Sequence, residues 1–258
     1  MISRLRDILR IRTRIRMFIV KLLHICGELT GIPHLRFYCP VCDRKVRGWF
    51  PSGECLRLDA TGEFCPHCFS MERTRHFALY LKQNDILNSK IRMLHFAPEK
   101  SLETKIRSSI LGEQYLTTDL FMKKVDRKED IIKMTFADNS FDFIYCSHVL
   151  EHIEDDASAM AELFRILSPG GTIVIQVPIQ GFKTYEDPSI VTPRERIKHF
   201  GQNDHVRFYG EDIRDRLSTV GFEVSAFYML DVLSVNEEEI ETMNISAREL
   251  THKCTKPH

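Results

Sequence analysis

Cys39-Pro40-Val41-Cys42 and Cys65-Pro66-His67-Cys68 are two Cys-x-x-Cys turns with 22 residues between them. Two thiolates held by one tight turn supply half of a tetrahedral metal site, and a second turn completes it. Proline after the first cysteine stiffens each turn and leaves the later backbone N–H groups free to point at sulfur. One such pair alone could be redox-active or accidental. Two at this separation, in a chain expected to stay in a reducing compartment, read as zinc ligands. With cysteine at all four positions the ion has no open site for catalysis, so its expected role is to staple a unit too small to build its own core. Cys55, His34 and His67 stand by as substitute ligands.

Composition narrows the function classes. Lys+Arg and Asp+Glu are both 36, giving a formal net charge of zero. That balance argues against a surface built throughout for phosphate backbones. Residues 36–75 carry seven basic and five acidic side chains, little support for RNA binding. The first 21 residues hold six Arg and one Lys against a single Asp, a local charge of +6. Charges interrupt their apolar runs far short of the roughly 20 residues that span a bilayer. The segment is expected to be a basic amphipathic helix, lying on anionic lipid or packed on the main domain. Arg4, Arg12 and Arg16 fall among its apolar positions, which weakens the lipid reading. No secretory signal pattern is present, so the eight cysteines are read as thiols and metal ligands. A cytoplasmic protein is expected, with peripheral contact at the inner membrane face as an option.

The elements that must position this chemistry alternate from Lys90 onward. Ile91–Phe96, Gln114–Thr118, Phe141–Cys146 and Thr172–Ile179 read as buried strands. Glu154–Leu167 reads as a helix, with Met160, Leu163, Phe164 and Leu167 on one side and Ser168-Pro169-Gly170-Gly171 as its stop signal. A further helix is expected over Glu211–Val220, and strands over Phe222–Leu230 and Glu249–Thr255. Strand–helix alternation predicts an α/β fold: a parallel sheet with helices on both faces, whose ligand sits beyond the carboxyl ends of the strands. The expected domains are a basic N-terminal segment over 1–33, a zinc ribbon and linking helix over 34–85, and the α/β domain over 86–258.

From Ile91 to the C-terminus, about two-thirds of the chain, the residues resemble the class I S-adenosylmethionine-dependent methyltransferases, in particular their type 11 group. The resemblance rests on Asp130-Ile131 through Asp138-Asn139-Ser140-Phe141-Asp142, then Val149-Leu150-Glu151-His152, then the Leu-Ser-Pro-Gly-Gly-Thr run. It implies a Rossmann-like methyltransferase sheet and S-adenosyl-L-methionine as methyl donor. Asp119 is then placed to accept both ribose hydroxyls, and Asp130 to accept from the adenine amino group, with the Ile131 N–H facing the ring. His95, Phe96, Ala97, Glu99, Cys146 and Ser147 complete the implied cofactor contacts. The first loop departs from the family pattern. Ala97, Glu99 and Ser101 stand where Gly-x-Gly-x-Gly is usual, and His95 replaces an acid. Glycine lets backbone approach a ligand closely, so the loop is expected to bind with altered contacts. The missing glycines also count against a dinucleotide cofactor, whose pyrophosphate needs that approach more.

Methyl transfer to a hydroxyl needs alignment and proton removal. His148 and His152, four residues apart near the implied methyl position, are the candidate general bases. Gln180–Tyr209 is expected to be a long substrate loop or lid. Its Asp204-His205-Val206-Arg207-Phe208-Tyr209 run is similar to that of family members often found beside surface-polysaccharide genes, which implies a sugar, glycolipid or other small polar acceptor. Two rival readings are an RNA methyltransferase whose zinc ribbon reads RNA, and a non-catalytic binding or scaffold protein on the same fold.

Overall fold

A computed structural model of the 258-residue chain describes residues 36–50, 63–110 and 114–258. The expected basic segment over 1–33, together with His34 and Cys55, lies outside the described residues. Among the described residues no helix is long and apolar enough to cross a membrane. They form two compact units. One contains the described residues up to Gln83 and Leu233–Ala247, the other Asn84–Val232 and Arg248–His258.

The first unit opens with an antiparallel pair, β1 (Phe37–Cys39) and β2 (Arg44–Val46), followed by a bridge between Phe50 and Phe64. Helix α1 (Glu72–Gln83) buries a continuous run from Thr74 to Leu81. Buried polar side chains need partners, and Arg75 has them. It donates to the carbonyls of Glu63 and Ser70, and its guanidinium lies 4.1 Å from the centre of the buried Trp49 ring.

The second unit is a six-stranded sheet. It comprises β3 (Met93–Phe96), β4 (Tyr115–Thr118), β5 (Phe141–Ser147), β6 (Leu167–Gln176), β9 (Glu223–Tyr228) and β10 (Leu250–Thr255). Their spatial order is β4-β3-β5-β6-β10-β9. Strands β3 to β6 are parallel, but β10 runs antiparallel to both neighbours. The sheet is therefore mixed and not wholly parallel as expected, because β10 returns between β6 and β9 against their common direction. Helices α2 (Lys100–Arg107), α3 (Asp156–Ile166) and α5 (Ile213–Val220) accompany it. Leu94, Ile144, Ile173 and Ile175 of the strands pack with Met160 and Leu163 of α3 and Ile213 and Leu217 of α5. Asp155 caps α3 by accepting from the Ser158 N–H. The Ser-Pro-Gly-Gly run lies within β6, whose first residue pairs with Phe141 before a register shift.

Residues 180–209 are not the structureless loop that their polarity predicts. β7 (Tyr185–Glu186) pairs with β8 (Arg207–Phe208), and α4 (Pro193–Phe200) stands between them. Thr192 caps α4 at its start, and Gly201 at a φ of 76° ends it in the left-handed conformation that glycine adopts readily.

After α6 (Met229–Val232) the chain leaves the second unit, and residues 233–247, read from sequence as part of the 86–258 domain, join the first. Helix α7 (Glu237–Met243) starts with a capping box formed by Asn236 and Glu239. Arg75 donates to the Asn244 carbonyl, His76 Nε2 lies 2.7 Å from the Ile245 carbonyl, and the Ala247 N–H donates to Glu72. These are contacts between α1 and residues about 170 positions away, and no local pattern announces them.

Candidate active site and metal centre

In the first unit the four cysteines converge, with all four sulfurs within 4.8 Å of one another. Cys39 Sγ lies 3.7 Å from Cys68 Sγ, and Cys42 Sγ lies 3.8 Å from Cys65 Sγ. Zinc–sulfur bonds of about 2.3 Å in a tetrahedron put sulfurs about 3.8 Å apart, so the separations fit a zinc ion. The two turns repeat one geometry. The Asp43 N–H donates to the Cys39 carbonyl and the Phe69 N–H to the Cys65 carbonyl. Asp43 and Phe69, each just after a second cysteine, take positive φ of 58° and 59°. Ser70 Oγ sits 3.3 Å from Cys39 Sγ and 3.2 Å from Cys68 Sγ, the outer-shell contact that orients metal ligands. Hydrogen bonds from Cys42, then Cys65 and Cys68, hold the Cys39 thiol below the ordinary thiol range. Buried Arg75 is close enough to feel the charge on Cys39, Cys65 and Cys68. Four thiolates on a divalent ion would carry a net negative charge, which this guanidinium would offset.

In the second unit a cleft of about 450 Å³ opens where β3, β4 and β5 end. Phe96 and Ala97 line it from the end of β3, Asp119 from the end of β4, and Asp130 and Ile131 from the following loop. Asp119 Oδ1 accepts the N–H groups of Phe121 and Met122, both at 2.6 Å, which rigidifies the turn and leaves Oδ2 for a ligand. Asp130 makes a looser turn contact of the same kind, 3.2 Å to the Ile132 N–H. Ala97 has a φ of 45°, a left-handed conformation that costs an L-residue about 1–2 kcal/mol. That strain explains why glycine suits this position.

The other residues implied as cofactor contacts lie elsewhere. His95 is fully buried within the sheet, its Nδ1 2.7 Å from the Tyr115 hydroxyl and its Nε2 3.4 Å from Glu99. Alternation along β3, between paired β4 and β5, keeps this ring out of the cleft lining. Cys146 and Ser147, buried in β5, do not line the cleft either, and Glu99 serves the start of α2. Sequence reasoning missed Glu129 and Arg196, which do line it, and Phe121, 85% exposed at its rim; Asp204, from the run singled out in the expected substrate loop, lines it too.

His148 and His152 both line the cleft. His148 takes a φ of 53° and sits between two carboxylates, with Nδ1 3.2 Å from Glu151 and Nε2 2.9 Å from Glu249. His152 instead packs edge-on against His205, with ring centres 4.7 Å apart, and its Nδ1 is 3.3 Å from the Asp204 carbonyl. Burial, and then neighbouring His152, holds His205 below the usual histidine range.

The Asp-His-x-Arg-x-Tyr run has a structural duty. Buried Arg207 donates to the carbonyls of Leu150, Ile153 and Glu154 and pairs with Glu186 at 2.7 Å. Tyr209 donates to Asp156 at 2.7 Å, and Arg216 bridges Asp156 and Glu186. Together they clamp the segment that carries Glu151 and His152.

Comparisons with known proteins agree with this geometry. Residues 111–175 match the family model described as a methyltransferase domain. The Haloferax volcanii complex of the Trm112 methyltransferase activator with a methyltransferase matches over 72% of this chain and 92% of that one, with a TM-score of 0.50 and 16% identity. The second unit has the Rossmann-like methyltransferase fold. A sterol 24-C-methyltransferase of Kluyveromyces lactis is 30% identical over 205 residues, 73% of this chain and 54% of that protein. An uncharacterized methyltransferase of Schizosaccharomyces pombe is 26% identical over 164 residues, 54% of this chain and 59% of that protein. The chain thus spans little more than half the length of these methyltransferase relatives. A [4+2]-cyclase, SpnF, shares the fold at a TM-score of 0.50 and 12% identity, covering 81% of this chain and 87% of that one. The methyltransferase fold alone therefore leaves the reaction to be argued from the site.

Proposed function

We propose that this chain is an S-adenosylmethionine-dependent methyltransferase acting on a hydroxyl of a small polar acceptor such as a sugar or glycolipid, with a structural zinc ion on Cys39, Cys42, Cys65 and Cys68. The observation that carries the reading is Asp119, whose carboxylate is half committed to its own turn and half presented to the cleft at the end of β4. A carboxylate there suits a ribose diol. The described lining includes Asp119, Glu129, Asp130 and Asp204 against one guanidinium, Arg196. Such a wall favours a sulfonium and an amino group and disfavours phosphate, which counts against an RNA backbone.

When bound, S-adenosylmethionine supplies an electrophilic methyl group. The chain's own part is to hold an acceptor hydroxyl and take its proton. His148 is the better placed base. Buried Glu151 orients its ring through Nδ1, and the partly exposed Glu249 is the contact an acceptor would displace at Nε2. His152, tied to Asp204 and His205, is the weaker candidate for this role.

Calorimetric titration of the full chain with S-adenosylmethionine tests the assignment. Saturable binding is expected; no heat and no thermal stabilisation would leave a non-catalytic scaffold.

A further inference from the structure

We propose that Glu151, His152 and His205 form a second metal site, for a zinc-class divalent ion, in the wall of the cleft. One ligand atom from each lies within 4.8 Å of the other two. Bonds of about 2.0–2.1 Å in a tetrahedron set donors about 3.4 Å apart, so closing on an ion takes side-chain movements of about 1 Å.

A second observation points the same way. Glu151 is 1% exposed, and while Oε1 faces His148, its Oε2 is buried with no hydrogen-bond partner. His205 is 3% exposed, and its Nδ1 is likewise buried without a partner. An orphaned carboxylate oxygen and an orphaned imidazole nitrogen on two residues whose ligand atoms converge are desolvated groups that one ion would satisfy together. Two imidazoles and a carboxylate are borderline ligands that suit zinc and its neighbours better than magnesium or calcium. The carbonyl of Asp204 and the backbone of Phe200 hold the two rings in place.

Three protein donors leave a fourth position, and His152 is the one ligand of the three that also lines the cleft. A water or an acceptor hydroxyl reaching the ion from that side would be acidified by it. This role rests on the methyltransferase reading. The site itself does not.

The test is titration of the chelator-stripped full chain with cobalt(II) alone. Two equivalents are expected. One shows thiolate-to-metal charge transfer from the cysteine centre, and the other shows visible ligand-field bands without it. His205→Ala and His152→Ala should each weaken the second class at least tenfold and spare the first. Because His152 is partly exposed, its variant decides the matter if the buried His205 variant fails to fold. A single thiolate-type equivalent in the wild type, or two equivalents kept in a folded His152→Ala protein, overturns the site. Two cobalt equivalents without S-adenosylmethionine binding would instead sink the proposed activity and leave this site standing.

Discussion

Two residues in the cleft do opposite things with their backbone and side chains. Asp119 uses one oxygen to stiffen its turn, so its other oxygen is presented without much conformational freedom left to lose. Asp119→Ala should weaken S-adenosylmethionine binding at least tenfold, about the loss of one or two charge-assisted hydrogen bonds. Calorimetry measures it directly, and unchanged affinity would misplace the ribose site. Ala97 bears a Cβ at a positive φ of 45°. Ala97→Gly should raise stability by about 0.5–1 kcal/mol, since strain relief outweighs the added freedom of the unfolded chain. Denaturant titration checks this, and a destabilised variant would show that the methyl group packs usefully. Both positions follow from chain-local facts, a residue type just past a strand. The carboxylate that occupies His148 Nε2 does not. Glu249 is 101 residues away, and only the pairing of β10 beside β6 brings it there.

At the scale of elements, the chain uses buried charge to hold irregular segments still. Arg207 joins β8 to the carbonyls of the turn before α3, where water is excluded and each carbonyl needs a donor. Arg207→Met would leave Glu186 and those carbonyls partly unpaired and should lower stability by about 3 kcal/mol. If the clamp positions the catalytic segment, turnover falls in the surviving folded protein while cofactor affinity stays within about twofold. A large loss of affinity with normal turnover would contradict it. Read from sequence alone, the same arginine stands in an expected substrate loop or lid, because a motif records residue order and not which carbonyls the side chain reaches. In the first unit the cysteine turns were legible because each needs only four consecutive residues. Cys39→Ser should lose the zinc ion and lower the melting temperature, with the cofactor cleft still formed. Full metal stoichiometry in that variant, measured by atomic emission, would refute the ligand set.

For the whole molecule a buried group in the sheet sets a pH dependence of folding. His252 of β10 is fully buried with neither ring nitrogen bonded. Burial, and then Arg214, pushes its pKa down to about 4 from an ordinary 6.5. Above pH 6.5 the ring is neutral whether the chain is folded or not, so it contributes no pH dependence. Between about 6.5 and 4 only the unfolded chain takes up the proton, and folding stability falls as pH falls. The loss is on the order of 3 kcal/mol across that window. His252→Phe should flatten this part of the stability–pH profile in denaturant titrations. An unchanged slope would assign the acid sensitivity to other groups.

The residues alone determined the α/β class, most of the strand and helix positions, the pairing of the four cysteines in two like turns and the carboxylate after the second strand of the large sheet. Each depends on spacing within a few residues, where side-chain periodicity and turn chemistry act. Tertiary structure decided the rest: the reversed direction of β10, the return of 233–247 to the first unit, the burial of His95, and the meeting of Glu151, His152 and His205. Those outcomes are set by which distant surfaces bury one another. The energy of such burial belongs to the pair, so neither stretch of chain displays it by itself.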